Sequence, residues 1–207
     1  ALGYWHGLDL FGPIPVVTAN DPTPPQQNTR QEVYDFIVSE LTAIRDGTGP
    51  EVLPPATPAL YGRATKAAAS MLLAHVYLNA EVYTGTPHYA EALAAASAAI
   101  AGPFSLDPVY RHVFQADNNT SPEIIFPVTQ DGLHTKSYGG TTFLIHAACG
   151  GSMNNVDYGV DGCWWGLRLK PEAYNRSAAD PRGSYFFTTG QTVAIASLTN
   201  FNDGIAA

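Results

Sequence analysis

Sixteen of the 46 residues from 56 to 101 are alanine, and most fall in two stretches, 64–83 and 88–101, joined by Thr84-Gly85-Thr86-Pro87. Alanine has the highest helix propensity because it loses no side-chain entropy, so both stretches are predicted to be helices. Small side chains at Ala68, Ala92, Ala96 and Ala99 allow two antiparallel helices to approach closely. Met71, Leu72, Val76, Leu93 and Ile100 are expected to supply the packed seam. One hairpin cannot bury its own faces, so other helices must pack on it.

Two candidates precede it. In residues 1–10, Leu2, Trp5, Leu8 and Asp9 fall at helical spacing, with Tyr4 and Phe11 on the adjoining face. That helix must stop at Gly12-Pro13-Ile14-Pro15, and five prolines in the fifteen residues 13–27 make the next segment extended. Thr29 and Glu32 then have capping-box spacing. Val33, Phe36, Ile37, Leu41 and Ile44 form an apolar face ending near Gly47. His75 lies inside the alanine-rich pattern and reads as a core or groove residue. With Tyr89-Ala90-Glu91-Ala92-Leu93 opening its second helix, the hairpin resembles a tetratricopeptide repeat. The fold class is therefore all-α, tetratricopeptide-like helical hairpins over residues 1–103, followed by a loop-rich, irregular part over 104–207.

In that second part, 104–114 reads as a turn and short helix, and 123–129 as an edge strand or extended run containing Pro127. Residues 131–161 show Gly, Asn, Ser and His without periodicity. A loop of that length is usually functional when it is not disordered. Cys149 and Cys163 lie fourteen residues apart. Bridged, they would gain about 3 kcal/mol on the chain-entropy model, but the reading adopted is two reduced thiols that never meet.

The charge pattern excludes several functions. With 18 acidic against 10 basic residues the net charge is −8, and no basic stripe exists for nucleic acid or an anionic membrane surface. No apolar run nears the roughly 18 residues of a membrane helix. GxSxG, GxGxxG, a phosphate loop after Gly150-Gly151-Ser152 and HExxH are all absent. Two cysteines cannot complete a zinc site, and Asp107, Asp117, Asp131, Asp157 and Asp161 are loop acids without calcium-loop spacing. No cofactor or metal is expected, and nothing indicates an enzyme.

What stands above background is aromatic side chains in a polar segment. A sugar ring offers an apolar C–H face to a Trp or Tyr, and its hydroxyls bond amides and guanidinium groups. Tyr138, Asn154, Asn155, Tyr158, Trp164, Trp165 and Arg168 supply that mixture and are the candidate ligand-binding residues. Trp165-Gly166 is expected to fix a turn, leaving Trp164 the freer to face ligand. The alternative is a protein- or peptide-binding module using the groove around His75, Asn79 and Tyr83.

Several strings occur in order: Leu8-Asp9-Leu10-Phe11-Gly12-Pro13-Ile14-Pro15, Thr29-Arg30-Gln31-Glu32-Val33-Tyr34-Asp35-Phe36-Ile37 and Gly62-Arg63-Ala64-Thr65-Lys66-Ala67-Ala68-Ala69. Ala74-His75-Val76-Tyr77-Leu78-Asn79, Glu123-Ile124-Ile125-Phe126, Trp165-Gly166-Leu167-Arg168 and Asp180-Pro181-Arg182 follow. Together they resemble the SusD/RagB family of outer-membrane nutrient-binding lipoproteins. The resemblance implies a non-enzymatic, surface-exposed protein, lipid-anchored through a cysteine outside this chain. It implies partnership with a SusC-like TonB-dependent transporter, and capture of oligosaccharides, or of peptides in the RagB branch. It also implies that this chain is a central piece. The acidic charge favours neutral oligosaccharides, and no binding residue carries over by motif.

Overall fold

The computed structural model describes residues 1–182 except 21, 49, 116, 131–133, 136, 137, 139, 151, 152, 159, 168, 169 and 178. Among the described residues the chain is all-α, without strands. It divides into two compact units, Ala1–Val128 and Thr129–Ala207.

In the first unit, α1 spans Leu2–Phe11 and α2 Arg30–Asp46. The capping box is formed: Thr29 N–H donates to Glu32 Oε2 at 2.7 Å, and Glu32 N–H to Thr29 Oγ1 at 3.2 Å. These bonds from Thr29 hold the Glu32 carboxyl below its ordinary value. The proline-rich segment between the helices is pinned in its extended path. Tyr4 Oη donates to Val17 O at 2.7 Å and accepts from Val17 N–H, while Asn28 Oδ1 accepts from Val16 N–H at 2.8 Å.

The alanine-rich hairpin consists of α3 (Lys66–Leu78), α4 (Ala80–Thr84) and α5 (Tyr89–Ile100). The single helix expected over 64–83 is thus interrupted. At Asn79 the side-chain amide and the backbone N–H both bond His75 O, at 3.0 and 3.2 Å, and the helix ends before α4 restarts. Gly85, at φ 80°, closes α4 in the left-handed conformation. Thr65 stands at the N-cap of α3, yet its hydroxyl is buried without a hydrogen-bond partner instead of capping the amides as its type suggests.

The core joins Leu8, Val33, Ile37, Leu41, Leu73 and Val76, all essentially inaccessible. The most extensive helix packing is of α3 on α5. Its seam on α5 is Ala92, Ala95 and Ala99, one stripe at spacings of three and four. Leu93 and Ile100, expected in that seam, are 70% and 77% exposed. They occupy the neighbouring stripe, which faces solvent. His75 is likewise exposed rather than buried, its ring 5.7 Å from that of Trp5. Tyr34, not anticipated in the core, is 4% exposed.

Residues 104–114 give a turn and a 3-10 helix, Tyr110–Phe114. Residues 123–129 form a turn residue, bends and irregular chain, so of the two readings, strand or extended run, the strand is not formed; Pro122 and Pro127 bracket the apolar run, and among the described residues no strand pairs with it.

The second unit is less irregular than its composition suggests. Within the supposed loop lie α6, Gly140–Ala148, and a 3-10 helix, Asn155–Tyr158. Downstream, α7 spans Pro171–Ser177, with proline at its first position as helix starts allow. Cys149 and Cys163 form a disulfide with Cα atoms 4.8 Å apart, correcting the expectation of free thiols. Loop closure by α6 brings together two residues that sequence spacing alone leaves apart.

Candidate functional site

The second unit builds its aromatic surface on the end of α6. A helix leaves its last carbonyls without intrahelical donors. Here the chain after Cys163 supplies them. Trp164 N–H donates to His146 O at 2.8 Å, Leu167 N–H to Ala147 O at 2.8 Å and Trp165 N–H to Cys149 O at 3.1 Å. The disulfide joins the same two segments beside these bonds.

This docking forces Trp165 to φ 62°, a left-handed conformation rare for a bulky residue. Strain of this kind persists where surrounding structure over-determines it, and it concentrates at functional sites. The turn expected at Trp165-Gly166 is seen only as this left-handed backbone, since residues 162–167 carry no turn or bend. The expected order of exposure is reversed, however: Trp165 is 50% exposed and Trp164 38%.

Trp164 is the centre of a ring cluster. Its ring lies 4.5 Å from that of His146 at an interplanar angle of 30°, and 6.0 Å from that of Tyr138 at 39°. Both ring nitrogens of His146 face acceptors. Nδ1 lies 2.9 Å from Thr142 O and Nε2 3.1 Å from Asp161 Oδ1. Both partners are acceptors, and a neutral imidazole, with one N–H, donates to one of them at a time.

Of the sequence-derived residues, the structure brings Tyr138 and Trp164 together and sets Trp165 beside them on the α6 anchor. Asn154 and Asn155 make bonds within their own turn. Asn154 Oδ1 accepts from Val156 N–H at 3.4 Å, and Asn155 Nδ2 donates to Val160 O at 2.8 Å. Tyr158 ends the 3-10 helix, but its side chain lies outside the described residues, as does the whole of Arg168. His146 was not selected from sequence. The available signal was its position four residues after Thr142, on the same helix face.

The groove proposed for the alternative reading is largely self-satisfied. Tyr83 Oη donates to Asp9 at 2.6 Å, and Asn79 bonds His75 O. A cavity of about 510 Å³ in the first unit lies elsewhere, between the Arg45–Asp46 ion pair, Lys66, Tyr77 and Glu91. The Asp180-Pro181-Arg182 string is a local ion pair: Arg182 bonds both carboxylate oxygens of Asp180 and, with its backbone N–H, holds that carboxyl down to about 2. Among the described residues no three His, Cys, Asp or Glu are grouped to hold a metal, and no helix is long and apolar enough to cross a membrane.

No family model matches the chain. The starch-binding protein SusD of Bacteroides thetaiotaomicron is 41% identical to it over 150 residues, covering 70% of this chain and 26% of that protein. A solved SusD-like protein from Bacteroides fragilis is 24% identical with a TM-score of 0.48, over 60% of this chain and 24% of that one. The chain thus spans about a quarter of the length of these relatives. Its shared sequence is far above chance resemblance and its fold is all-α. The chain belongs to the SusD-like family.

Proposed function

We propose that this chain contributes to non-catalytic capture of neutral oligosaccharides. The observation that carries the reading is the exposed aromatic cluster of Tyr138 and Trp164, with the strained Trp165 next to it, in a chain related to a starch-binding protein. Stacking on these rings would supply affinity. Amide groups of Asn154 and Asn155, with Tyr158 and Arg168, would bond the hydroxyls at the edge of the sugar. The net charge of −8 disfavours polyanionic glycans, which call for clustered cations. In the intact protein the capture would take place at the outer-membrane surface, on a lipid-anchored subunit that delivers ligand to a SusC-like TonB-dependent transporter. No cofactor enters this scheme.

The test is calorimetric titration of the 207-residue chain with linear maltooligosaccharides, other neutral oligosaccharides and a peptide mixture. Saturable heat is expected with a sugar, and Trp164→Ala is expected to weaken binding by about 1 kcal/mol or more without unfolding the chain. If Trp164→Ala lowers the melting temperature and leaves affinity intact, Trp164 is a packing residue and the site lies elsewhere. Saturation by peptides alone would transfer the reading to peptide capture.

A further inference from the structure

Trp164 is held from two directions that the glycan reading does not by itself require. Its backbone is tied to α6 by the bond to His146 O, and the preceding residue is bridged to Cys149. Its ring is backed by His146, whose side chain is 15% exposed and lies between two acceptors, Thr142 O and the exposed Asp161 Oδ1, with one N–H donated to one of them at a time. An aromatic ring joined by single bonds to a surface segment would otherwise sample several rotamers. Each would have to be frozen when a ligand stacks on it, at a cost to affinity.

We propose that His146 and the Cys149–Cys163 disulfide are positioning residues for the sugar platform: the disulfide sets the backbone register of Trp164, and the imidazole sets the plane of its indole. This rests on the oligosaccharide reading for its binding consequence, but the positioning itself has a ligand-free readout. His146 is 15% exposed, with its ring against that of Trp164. It acts by restricting Trp164 before ligand arrives, and Asp161 and Thr142 hold it in turn. Any flat neutral sugar face is served equally by such a device, so the effect falls on affinity for all ligands and leaves their ranking unchanged.

The experiment compares the unmodified chain with His146→Ala, His146→Phe, the double change Cys149→Ser with Cys163→Ser, and Trp164→Ala. Near-ultraviolet circular dichroism is recorded without ligand, and maltooligosaccharide affinity is measured by calorimetry. His146→Ala is expected to flatten the Trp signal and weaken binding about fivefold, as loss of one aromatic contact would. His146→Phe keeps a flat ring behind Trp164 and is expected to restore both to within about twofold. The double serine variant is expected to show the same two losses. An unchanged near-ultraviolet spectrum in His146→Ala overturns the positioning role whatever the binding data show. So does unchanged affinity in His146→Ala where Trp164→Ala weakens binding. If instead the unmodified chain binds no sugar, the oligosaccharide reading fails, and the spectra still decide whether His146 orients Trp164. A double serine variant that does not fold overturns the positioning role of the disulfide, which is then a link the fold itself requires, and the two His146 variants decide for the imidazole.

Discussion

The two units of this chain achieve order by different means. In Ala1–Val128 it comes from side chains: Leu8, Val33, Ile37, Leu41, Leu73 and Val76 meet in one cluster, and alanine sets the helix spacing. In the second unit the described order around Trp164 comes from backbone bonds to the end of α6, a disulfide and one stacked imidazole. The first arrangement spreads stability over many apolar contacts and is suited to a scaffold. The second concentrates it in a few specific links and leaves Trp164, Trp165 and Tyr138 at the surface. A platform for ligands needs that second arrangement, since an aromatic ring buried for stability cannot also stack on a sugar.

The sharpest way to break this contrast is to attack each unit at its own kind of link. Leu73 is wholly buried, and Leu73→Ala is expected to destabilise the first unit by about 4 kcal/mol in denaturant unfolding. A loss under about 1 kcal/mol would mean that the cluster is loosely packed and the first unit is no better anchored than the second. Reduction of Cys149–Cys163 ranks next, at about 3 kcal/mol for a closed loop of this length. Its effect should appear in the second unit, which carries Trp164 and Trp165, and spare the first, which carries Trp5. Trp5-only and Trp164-only variants, made with Phe at the other Trp positions, separate the two signals. Equal shifts in both would show that the units unfold as one.

The same division explains what could be read from sequence. The helices of the first unit were legible because helix-period burial writes itself into residue type: Thr29 and Glu32 marked a start, and Val33, Ile37 and Leu41 a face. On α5 the small residues Ala92 and Ala99 were legible as the packed stripe, whereas Leu93 and Ile100, which hydrophobicity selects, lie on the neighbouring exposed one. In the second unit α6 was hidden. Thr141, Thr142 and Ile145 are β-branched with weak helix preference, and the apolar run Phe143-Leu144-Ile145 has no helical period. With α6 unread, nothing could bring Cys149 to Cys163 or His146 to Trp164. The aromatic residues themselves were legible as a set, because Trp in a polar segment stands out whatever the fold.

Two buried tyrosines provide the finest test, with opposite signs inside one unit. Tyr83 donates to Asp9 at 2.6 Å, whereas the Tyr34 hydroxyl is buried without a partner. Tyr83→Phe should cost about 2 kcal/mol at pH 7, the value of a hydrogen bond to a charged group. Tyr34→Phe should be neutral or stabilising by up to about 1 kcal/mol, because it removes an unsatisfied polar group and keeps the ring. Both phenols are pushed up to about 12, chiefly by burial, with the Asp9 bond adding to the effect at Tyr83 and the field of Tyr77 and Glu91 at Tyr34. Folding therefore favours the protonated phenol at each position. That contribution is complete below the ordinary phenol value of 10.0 and is lost as pH rises from there to about 12. Stability measured by urea unfolding should fall over that interval, and each Phe substitution should make the fall shallower. A Tyr34→Phe variant that loses stability at pH 7 would show that its hydroxyl is satisfied in solution, and that the first unit also relies on a specific polar link.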